Sequence, residues 1–250
     1  TTNKQLCIAG AGSGKTLVLT YKIYYLINFL GVKPEEILAI TFTRKARAEM
    51  LSRLSKMLTN KQVRIETFNS FAEKEISYHS LILYGKEKNM VQSKEFTKIV
   101  LTSLKELGYS VEKFLENYFT KRERQKKDMR QLFFSFLYDF SAIYDTYIRY
   151  GKEINKFRTK IKEAKLEDRM IASTIVDLLD IVSQKLEENS LRTYSDQLRD
   201  LLKLYKENPN LKQKYTWILV DEYQDVNEEQ IDLLELLSPK NIFVVGDPRQ

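Results

Sequence analysis

An eight-residue stretch near the start of the chain, residues 9–16, constrains the fold more than any other. It reads Ala-Gly-Ala-Gly-Ser-Gly-Lys-Thr, follows the short apolar run 6–8 and precedes the long helical pattern 17–30. This order of strand, glycine-rich loop and helix is the context in which Gly-Lys-Thr predicts a phosphate-binding loop. Glycines let backbone N–H groups curl around phosphate oxygens, and the helix N-terminus adds partial positive charge. We therefore predict a nucleotide site, although Ala9 stands where the general pattern has glycine.

The residues of the loop have different expected roles. Lys15 is expected to reach the β- and γ-phosphates, and the Thr16 hydroxyl is expected to ligate Mg²⁺. The other candidate contacts of the loop with the nucleotide are Ala11, Gly12, Ser13 and Gly14. The alternative is a tight strand–helix turn that binds nothing, and the surrounding pattern disfavours it.

Composition describes a soluble globular chain. Hydrophobic residues make up 43% and charged residues 30% of the 250, and no segment approaches the ~20 apolar residues of a membrane span. The single cysteine, Cys7, excludes an intrachain disulfide and suits a reducing compartment. We therefore expect a cytoplasmic protein that is not bound to a membrane. One histidine and one cysteine argue against a structural zinc site.

The charge and the two ends of the chain add two weaker indications. A net charge of +7 and a pI near 9.2 favour a polyanionic partner, although many basic proteins bind no nucleic acid. The chain begins almost directly with a core strand and stops at residues 245–250, directly after another apolar strand pattern. Domains normally end in exposed linkers, so we expect a fragment of a longer protein.

The pattern along the chain divides it into three parts. Residues 1–75 and 193–250 alternate short apolar runs with helical patterns, which predicts a parallel sheet with helices on both faces. Residues 76–192 lack proline and repeat apolar residues at helical spacing, which predicts an all-helical insertion without strands. Helix 17–30 carries apolar residues on most faces, so we expect it to be well buried.

An acidic pair follows the apolar run 217–220. Asp221, at the end of a buried strand, is expected on the metal side of the nucleotide site, and Glu222 is expected to activate the attacking water. The alternative is an ordinary helix cap. Asp247 and Gln250, after the next strand, are expected to sense the γ-phosphate or its water. Because the carboxyl ends of parallel strands share one edge, Lys15 and these acids should converge there.

Five short sequences, taken in order, resemble motifs I, Ia, Ib, II and III of the UvrD/Rep/PcrA helicases of superfamily 1. They are residues 9–16, 41–46, 67–70, 221–225 and 246–250. The resemblance implies a RecA-like fold interrupted by a 1B-like insertion, with the second motor domain outside this chain. It also implies ATP and Mg²⁺ as cofactors and single-stranded DNA and single-strand/duplex junctions as partners. We expect the fragment itself to be monomeric.

The same resemblance implies roles for further residues. Gln224 and Gln250 would couple the state of the γ-phosphate to DNA contacts. Phe42 would stack on a base, which contributes about 1–3 kcal/mol without sequence preference. The other candidate DNA contacts are Thr43, Arg44, Thr67, Phe68, Asn69 and Ser70. For both Phe42 and Phe68 the alternative is core packing, and Phe68 stays open between the two.

Several positions depart from the family pattern. Leu17 stands where an arginine commonly stacks on adenine, and Asn69 stands where histidine is frequent. The adenine-reading glutamine motif is not recognisable in residues 1–5.

The basic run 121–130 could contact DNA or form a solvated face. The aromatic residues of 133–150 are interpreted as the core of the insertion.

The motifs and the resemblance together predict the motor core of an ATP-dependent DNA helicase. The resemblance implies movement from 3′ to 5′ and a process such as DNA repair, with the pathway left open between repair, recombination and replication. We expect the fragment alone to hydrolyse ATP weakly, since an arginine finger from another domain is worth about 10³–10⁵ in rate. One alternative is a DNA-binding module with a regulatory or vestigial nucleotide site. Another is part of a helicase–nuclease subunit of the RecB/AddA kind.

Overall fold

The computed structural model describes residues 3–10, 13–58, 62–163, 165, 168–247 and 249. The chain forms two compact units, one of Thr1–Gly85 with Gln197–Gln250 and one of Lys86–Asp196. The domain limits that the sequence suggests, after residues 75 and 192, are separate from this division into units and remain a prediction.

Strands and helices alternate in the first part of the chain. Its elements are β1 (Asn3–Ile8), α1 (Lys15–Asn28), β2 (Ile37–Thr41), α2 (Arg44–Met57), β3 (Arg64–Thr67), α3 (Phe68–Tyr78) and α4 (Ser80–Tyr84). The middle part consists of β4 (Asn89–Met90), α5 (Ser93–Glu106), α6 (Val111–Tyr118), α7 (Lys121–Arg124), α8 (Met129–Arg149), α9 (Ile154–Ile161), α10 (Arg169–Glu188) and β5 (Leu191–Arg192). The last part consists of α11 (Asp196–Glu207), β6 (Trp217–Val220), α12 (Glu228–Leu237) and β7 (Asn241–Gly246).

The first unit is built on a five-stranded sheet in the order β1-β7-β6-β2-β3. Every neighbouring pair is parallel, so the carboxyl ends of all five strands lie at one edge. In that register Ile8 pairs with Gly246, and Val220 pairs with Ile40 on one side and Val244 on the other. The loop after β1 and the acidic pair after β6 therefore leave the sheet at the same edge.

Both faces of this sheet are covered, as a parallel sheet requires. Side chains alternate between faces along each strand, so Leu38 and Ile40 pack with Phe71 and Tyr205 of α3 and α11. On the other face Ile37 and Ala39 pack in a cluster with residues of α1 and α2 such as Leu19, Ile23 and Met50. The predicted α/β fold with helices on both faces is confirmed.

Helix α1 differs from its sequence-based prediction. Leu19, Ile23 and Leu26 are fully buried, but a stripe at four-residue spacing is exposed. Its members are Leu17, Tyr21, Tyr25 and Phe29. The expectation of a well-buried helix was wrong, because residues four apart share one face and that face has no covering element among the described residues.

The second unit is helical apart from one short parallel pair, β4 with β5, which a prediction of helices alone missed. Its core gathers one face of α8 against α5, α6 and α10, with Phe114 and Phe136 in edge-to-face contact at 4.8 Å. Among the described residues, no helix is both long and apolar enough to cross a membrane.

Candidate functional site

Lys15 and Glu222 meet at the carboxyl edge of the sheet. Lys15 opens α1, Glu222 follows β6, and the Lys15 Nζ lies 2.6 Å from the Glu222 Oε2. The lysine side chain is only 7% exposed, so its charge is held inside the protein by a partner far away in the sequence. The structure therefore brings together the first pair of residues that the sequence assigned to one pocket.

Thr16 and Asp221 form a second contact between the start of α1 and the residues that follow β6. The Thr16 hydroxyl donates a hydrogen bond of 2.9 Å to the Asp221 Oδ2, and Asp221 is almost fully buried. A hydroxyl and a carboxylate oxygen side by side are ligands that Mg²⁺ prefers. The geometry thus fits the predicted metal side of the site.

Gln224 connects this acidic pair to the end of β7. Its Nε2 donates to the Glu222 Oε2 at 2.9 Å, and its Oε1 accepts from the backbone N–H of Asp247 at 3.0 Å. A Cβ on Gly246 would lie 2.8 Å from the same Oε1, so glycine is what allows this close approach. Glu222 itself has a φ of +48°, and such left-handed backbone in a non-glycine residue is strain typical of functional sites.

The start of α1 is open to an anion. Its N-cap is Gly14, at a φ of +87°, and no side chain among the described residues caps it. The first N–H groups of a helix lack partners within the helix, and they bind phosphate readily. A cleft of about 290 Å³ lies there, lined by residues 14–17, Glu49, Arg53 and Glu222. Together with Lys15, Thr16 and Asp221, this end of the helix fits a magnesium–nucleotide complex.

The charges of the site shift one another's pKa values. The hydrogen bond with Glu222 raises the pKa of Lys15, against the effect of burial. Burial opposes the ionisation of Glu222, but hydrogen bonds from Gln224 and Lys15 outweigh it and lower the Glu222 pKa. Burial raises the pKa of Asp221, although the Thr16 hydrogen bond opposes that shift. Lys15 and Glu222 are therefore both held in their charged forms.

Other predicted nucleotide contacts have simpler positions or lie outside the described residues. Ser13 is exposed and donates to the Gly10 carbonyl at 2.6 Å, and Asp247 is buried at the end of β7. Ala11, Gly12 and Gln250 lie outside the described residues.

Three of the candidate DNA contacts carry hydroxyls that the family resemblance assigns to phosphates, and two of them, Thr43 and Thr67, are helix N-caps. Thr43 Oγ1 accepts from Ala46 N at 3.1 Å at the start of α2, and Thr67 Oγ1 accepts from Ser70 N at 3.1 Å at the start of α3. Both threonines accept through oxygen, and among the described residues these bonds leave their protons available to a phosphate. Ser70 Oγ donates to the Glu66 Oε2 at 2.7 Å, so its proton is already used.

The two phenylalanines near this edge are not equivalent. Phe68 is 3% exposed and lies in the core, so its ring has no open face and we withdraw it from the candidate DNA contacts. Phe42 is half-buried and meets Phe68 edge-to-face at 6.1 Å. Arg44 and Asn69 are exposed nearby, at the starts of α2 and α3.

Two groups of charged residues escaped the sequence reasoning. Glu66, 2% exposed at the end of β3, pairs with Arg47 at 3.4 Å and with Lys74. Glu49 and Arg53, paired with each other on α2, line the nucleotide cleft. The only sequence signal of Glu49 and Arg53 is a charged helix face, which is common on any surface helix, and Glu66 stands alone on a strand without such a pattern.

Comparisons with known proteins place the chain in a family. The model of the UvrD/REP helicase N-terminal domain family matches residues 1–250. A probable DNA helicase of Mycoplasma pneumoniae is 32% identical over 97% of this chain and 43% of its own length. The ATP-dependent DNA helicase Rep of Buchnera aphidicola is 30% identical over 98% of this chain and 35% of its own length. The ATP-dependent DNA helicase PcrA of Staphylococcus aureus is 29% identical over 98% of this chain and 31% of its own length. The chain thus spans less than half the length of each of these relatives.

Proposed function

The chain belongs to the UvrD/REP helicase N-terminal domain family, and from that premise we propose that it binds ATP and single-stranded DNA within a helicase that moves 3′ to 5′. The partner motor domain would lie elsewhere in the same protein. The helical residues of the second unit would be the family's inserted subdomain.

The observation that carries the proposal is the meeting of Lys15 with Glu222 at 2.6 Å and of Thr16 with Asp221 at 2.9 Å. Lys15 would exchange its carboxylate partner for the β- and γ-phosphates. Glu222, released from the amine, would accept a proton from the attacking water. Thr16 and Asp221 would hold Mg²⁺, which neutralises charge on the phosphates.

Gln224 would carry the state of the nucleotide to the neighbouring strand. It bridges Glu222 and the backbone of Asp247, so a movement of Glu222 changes a hydrogen bond at the end of β7. The DNA would lie along the ends of β2 and β3, where Phe42 would contact a base and Thr43 and Thr67 would donate to phosphates.

Nucleotide binding by the Lys15→Ala variant tests the proposal. A hydrogen bond to a charged group contributes about 1.5–3 kcal/mol, so we expect the affinity for Mg·ATP to fall at least about tenfold. Lys33→Ala, which removes an exposed lysine shortly after α1, should leave the affinity within about twofold. Calorimetric titration measures both, and an unchanged affinity in Lys15→Ala contradicts the role of the amine.

The same titration separates the motor from a vestigial site. Leu17 lines the nucleotide cleft where the family commonly has arginine, and this observation favours weaker recognition of the base. A motor requires Mg²⁺-dependent binding of ATP by the unmodified chain. No binding at millimolar nucleotide would support a DNA-binding module whose nucleotide site has decayed.

A further inference from the structure

Helix α8 carries aromatic residues on two opposite faces. One face is core, with Leu132, Phe136 and Phe140 buried. The other presents Phe134 and Tyr138, which are 54% and 80% exposed. Single exposed apolar residues are ordinary, but these two lie four residues apart and therefore stand side by side, about 6 Å apart along the axis. We call this pair the aromatic ridge.

A cleft lies on each side of the aromatic ridge. Both clefts hold about 490 Å³, and Phe134 and Tyr138 line both of them. One is lined by hydroxyl and aromatic side chains that include Ser93, Phe96 and Ser141. Each ring therefore borders open space on two sides of the helix, where a flat group can approach it.

The basic run, residues 121–130, leads directly into the aromatic ridge. Six of its ten residues are basic and two are acidic, a net charge of +4. Both acids serve capping boxes: Glu123 closes one with Thr120 at the start of α7, and Asp128 closes another with Gln131 at the start of α8. Within the part of the chain that the structure describes, no ion pair engages the six cations, and all are exposed.

Two contacts join the basic run to the aromatic ridge. The Arg130 guanidinium lies over the Phe134 ring, 5.8 Å from its centroid. The Lys127 Nζ donates to Ser135 Oγ at 2.8 Å, and Lys127 lines the same cleft as Phe134 and Tyr138. The exposed rings and the cations of the basic run thus belong to one continuous surface.

We propose that this surface binds an unpaired nucleic-acid strand, with bases stacked on Phe134 and Tyr138 and phosphates along the basic run. Aromatic faces next to a track of positive charge are the two components of sequence-independent single-strand binding. A duplex offers phosphates but hides the faces of its bases in its own stack, so the rings would have nothing to contact. Glu123 and Asp139 line one cleft together with Lys127, and phosphates should therefore stay at the rim of that cleft, along the exposed cations.

The test compares two aromatic variants in a background that lacks the proposed motif contact, Phe42→Ala. We expect Phe134→Ala/Tyr138→Ala to weaken binding of a fluorescein-labelled oligothymidylate about five- to tenfold per ring. Tyr78→Ala removes an equally exposed tyrosine from the first unit and should leave the affinity unchanged. Fluorescence anisotropy at low salt measures all three, and circular dichroism checks that each variant is folded.

Two further measurements decide the nature of the contact. A 5-iodouracil oligonucleotide should crosslink to the peptide around Tyr138, separately from any crosslink near Phe42, so this surface and the motif site can succeed or fail independently. Replacing Lys126, Lys127 and Arg130 by Gln should make the slope of log affinity against log salt concentration shallower. The expected change is about 0.7 for each phosphate contact that is lost. Equal single-strand affinity with and without the rings overturns the proposal, and so does an equal loss on blunt duplex DNA.

Discussion

Two charged networks lie at opposite edges of the same five-stranded sheet, and they differ in what they face. At the carboxyl edge, Lys15 and Glu222 border an open cleft, and Glu222 has strained backbone. At the amino edge, Arg64, the first residue of β3, reaches Glu75 of α3 at 2.6 Å and the Tyr215 hydroxyl at 3.0 Å. That network faces other protein groups.

The amino-edge network is closed by two more contacts. The Tyr205 hydroxyl donates to the Glu75 Oε2 at 2.6 Å, and the Arg64 guanidinium lies over the Phe71 ring at 4.6 Å. The same types of residue therefore satisfy one another at the amino edge and border an open cleft at the carboxyl edge. Backbone strain beside that cleft agrees with the nucleotide site that we propose, whereas mutual satisfaction is typical of a stabilising network.

The strongest test of this difference between the two edges is one chemical change at the carboxyl edge. Glu222→Gln keeps the size of the side chain but removes the proposed base, so ATP hydrolysis by the full-length helicase that we propose should fall about 10²–10⁴-fold. The unfolding free energy should change by no more than about 1 kcal/mol, since Asp221 and Asp247 still face the Lys15 charge. Steady-state phosphate release and urea unfolding measure the two effects.

Glu35→Gln, the same change at an exposed glutamate, is the control and should alter neither quantity. A loss of several kcal/mol in the Glu222→Gln variant would mean that the carboxyl edge is also a stabilising network. The distinction between the edges would then fail.

The reverse experiment removes Arg64 from the amino edge. Arg64→Met leaves the largely buried Glu75 carboxylate without its cation, which should lower the unfolding free energy by about 3 kcal/mol. The affinity for Mg·ATP of the folded chain should stay within about twofold. Arg158→Met, at an exposed pair with Asp177, should cost no more than about 1 kcal/mol. A large change in nucleotide affinity would instead couple the two edges.

The sequence predicted the carboxyl edge because its signals are local. The apolar run 217–220 coincides with strand β6. The apolar run 37–40 forms strand β2 together with one further residue, Thr41. Once the strands are parallel, residues at their carboxyl ends must meet, which is why Lys15 and the acidic pair could be assigned to one pocket.

The amino edge could not be predicted in the same way. Arg64, Glu75, Tyr205 and Tyr215 are ordinary polar positions in the sequence, and only tertiary packing brings them together. The two faces of α8 pose a related problem, because aromatic residues occur at both 134/138 and 136/140. Spacing alone indicates that each pair shares a face but cannot decide which face is core.

The smallest expected effect concerns the pH dependence of the unfolding free energy, which differs between the two edges. Burial raises the pKa of Tyr215 to about 12, with Arg64 opposing the shift and Glu75 adding to it. Below pH 10, the ordinary tyrosine value, this contribution to stability is complete, and it is lost as pH rises towards 12. At about 1.4 kcal/mol per pH unit, the loss is roughly 2–3 kcal/mol.

Tyr215→Phe should therefore flatten the alkaline limb of stability against pH, at a cost of about 1 kcal/mol near neutrality for the lost hydrogen bonds. The carboxyl edge responds to acid instead. The lowered pKa of Glu222 makes its contribution complete above the unfolded value and lost as pH falls, so Glu222→Gln should flatten the acid limb. Because Glu222 also raises the pKa of Lys15, the same variant loses a contribution that disappears only above the ordinary lysine pKa, at the alkaline end of the range. Urea unfolding of both variants between pH 3 and 11 tests the pair. If Tyr215→Phe left the alkaline limb unchanged, the buried tyrosine would not be what limits the amino edge at high pH.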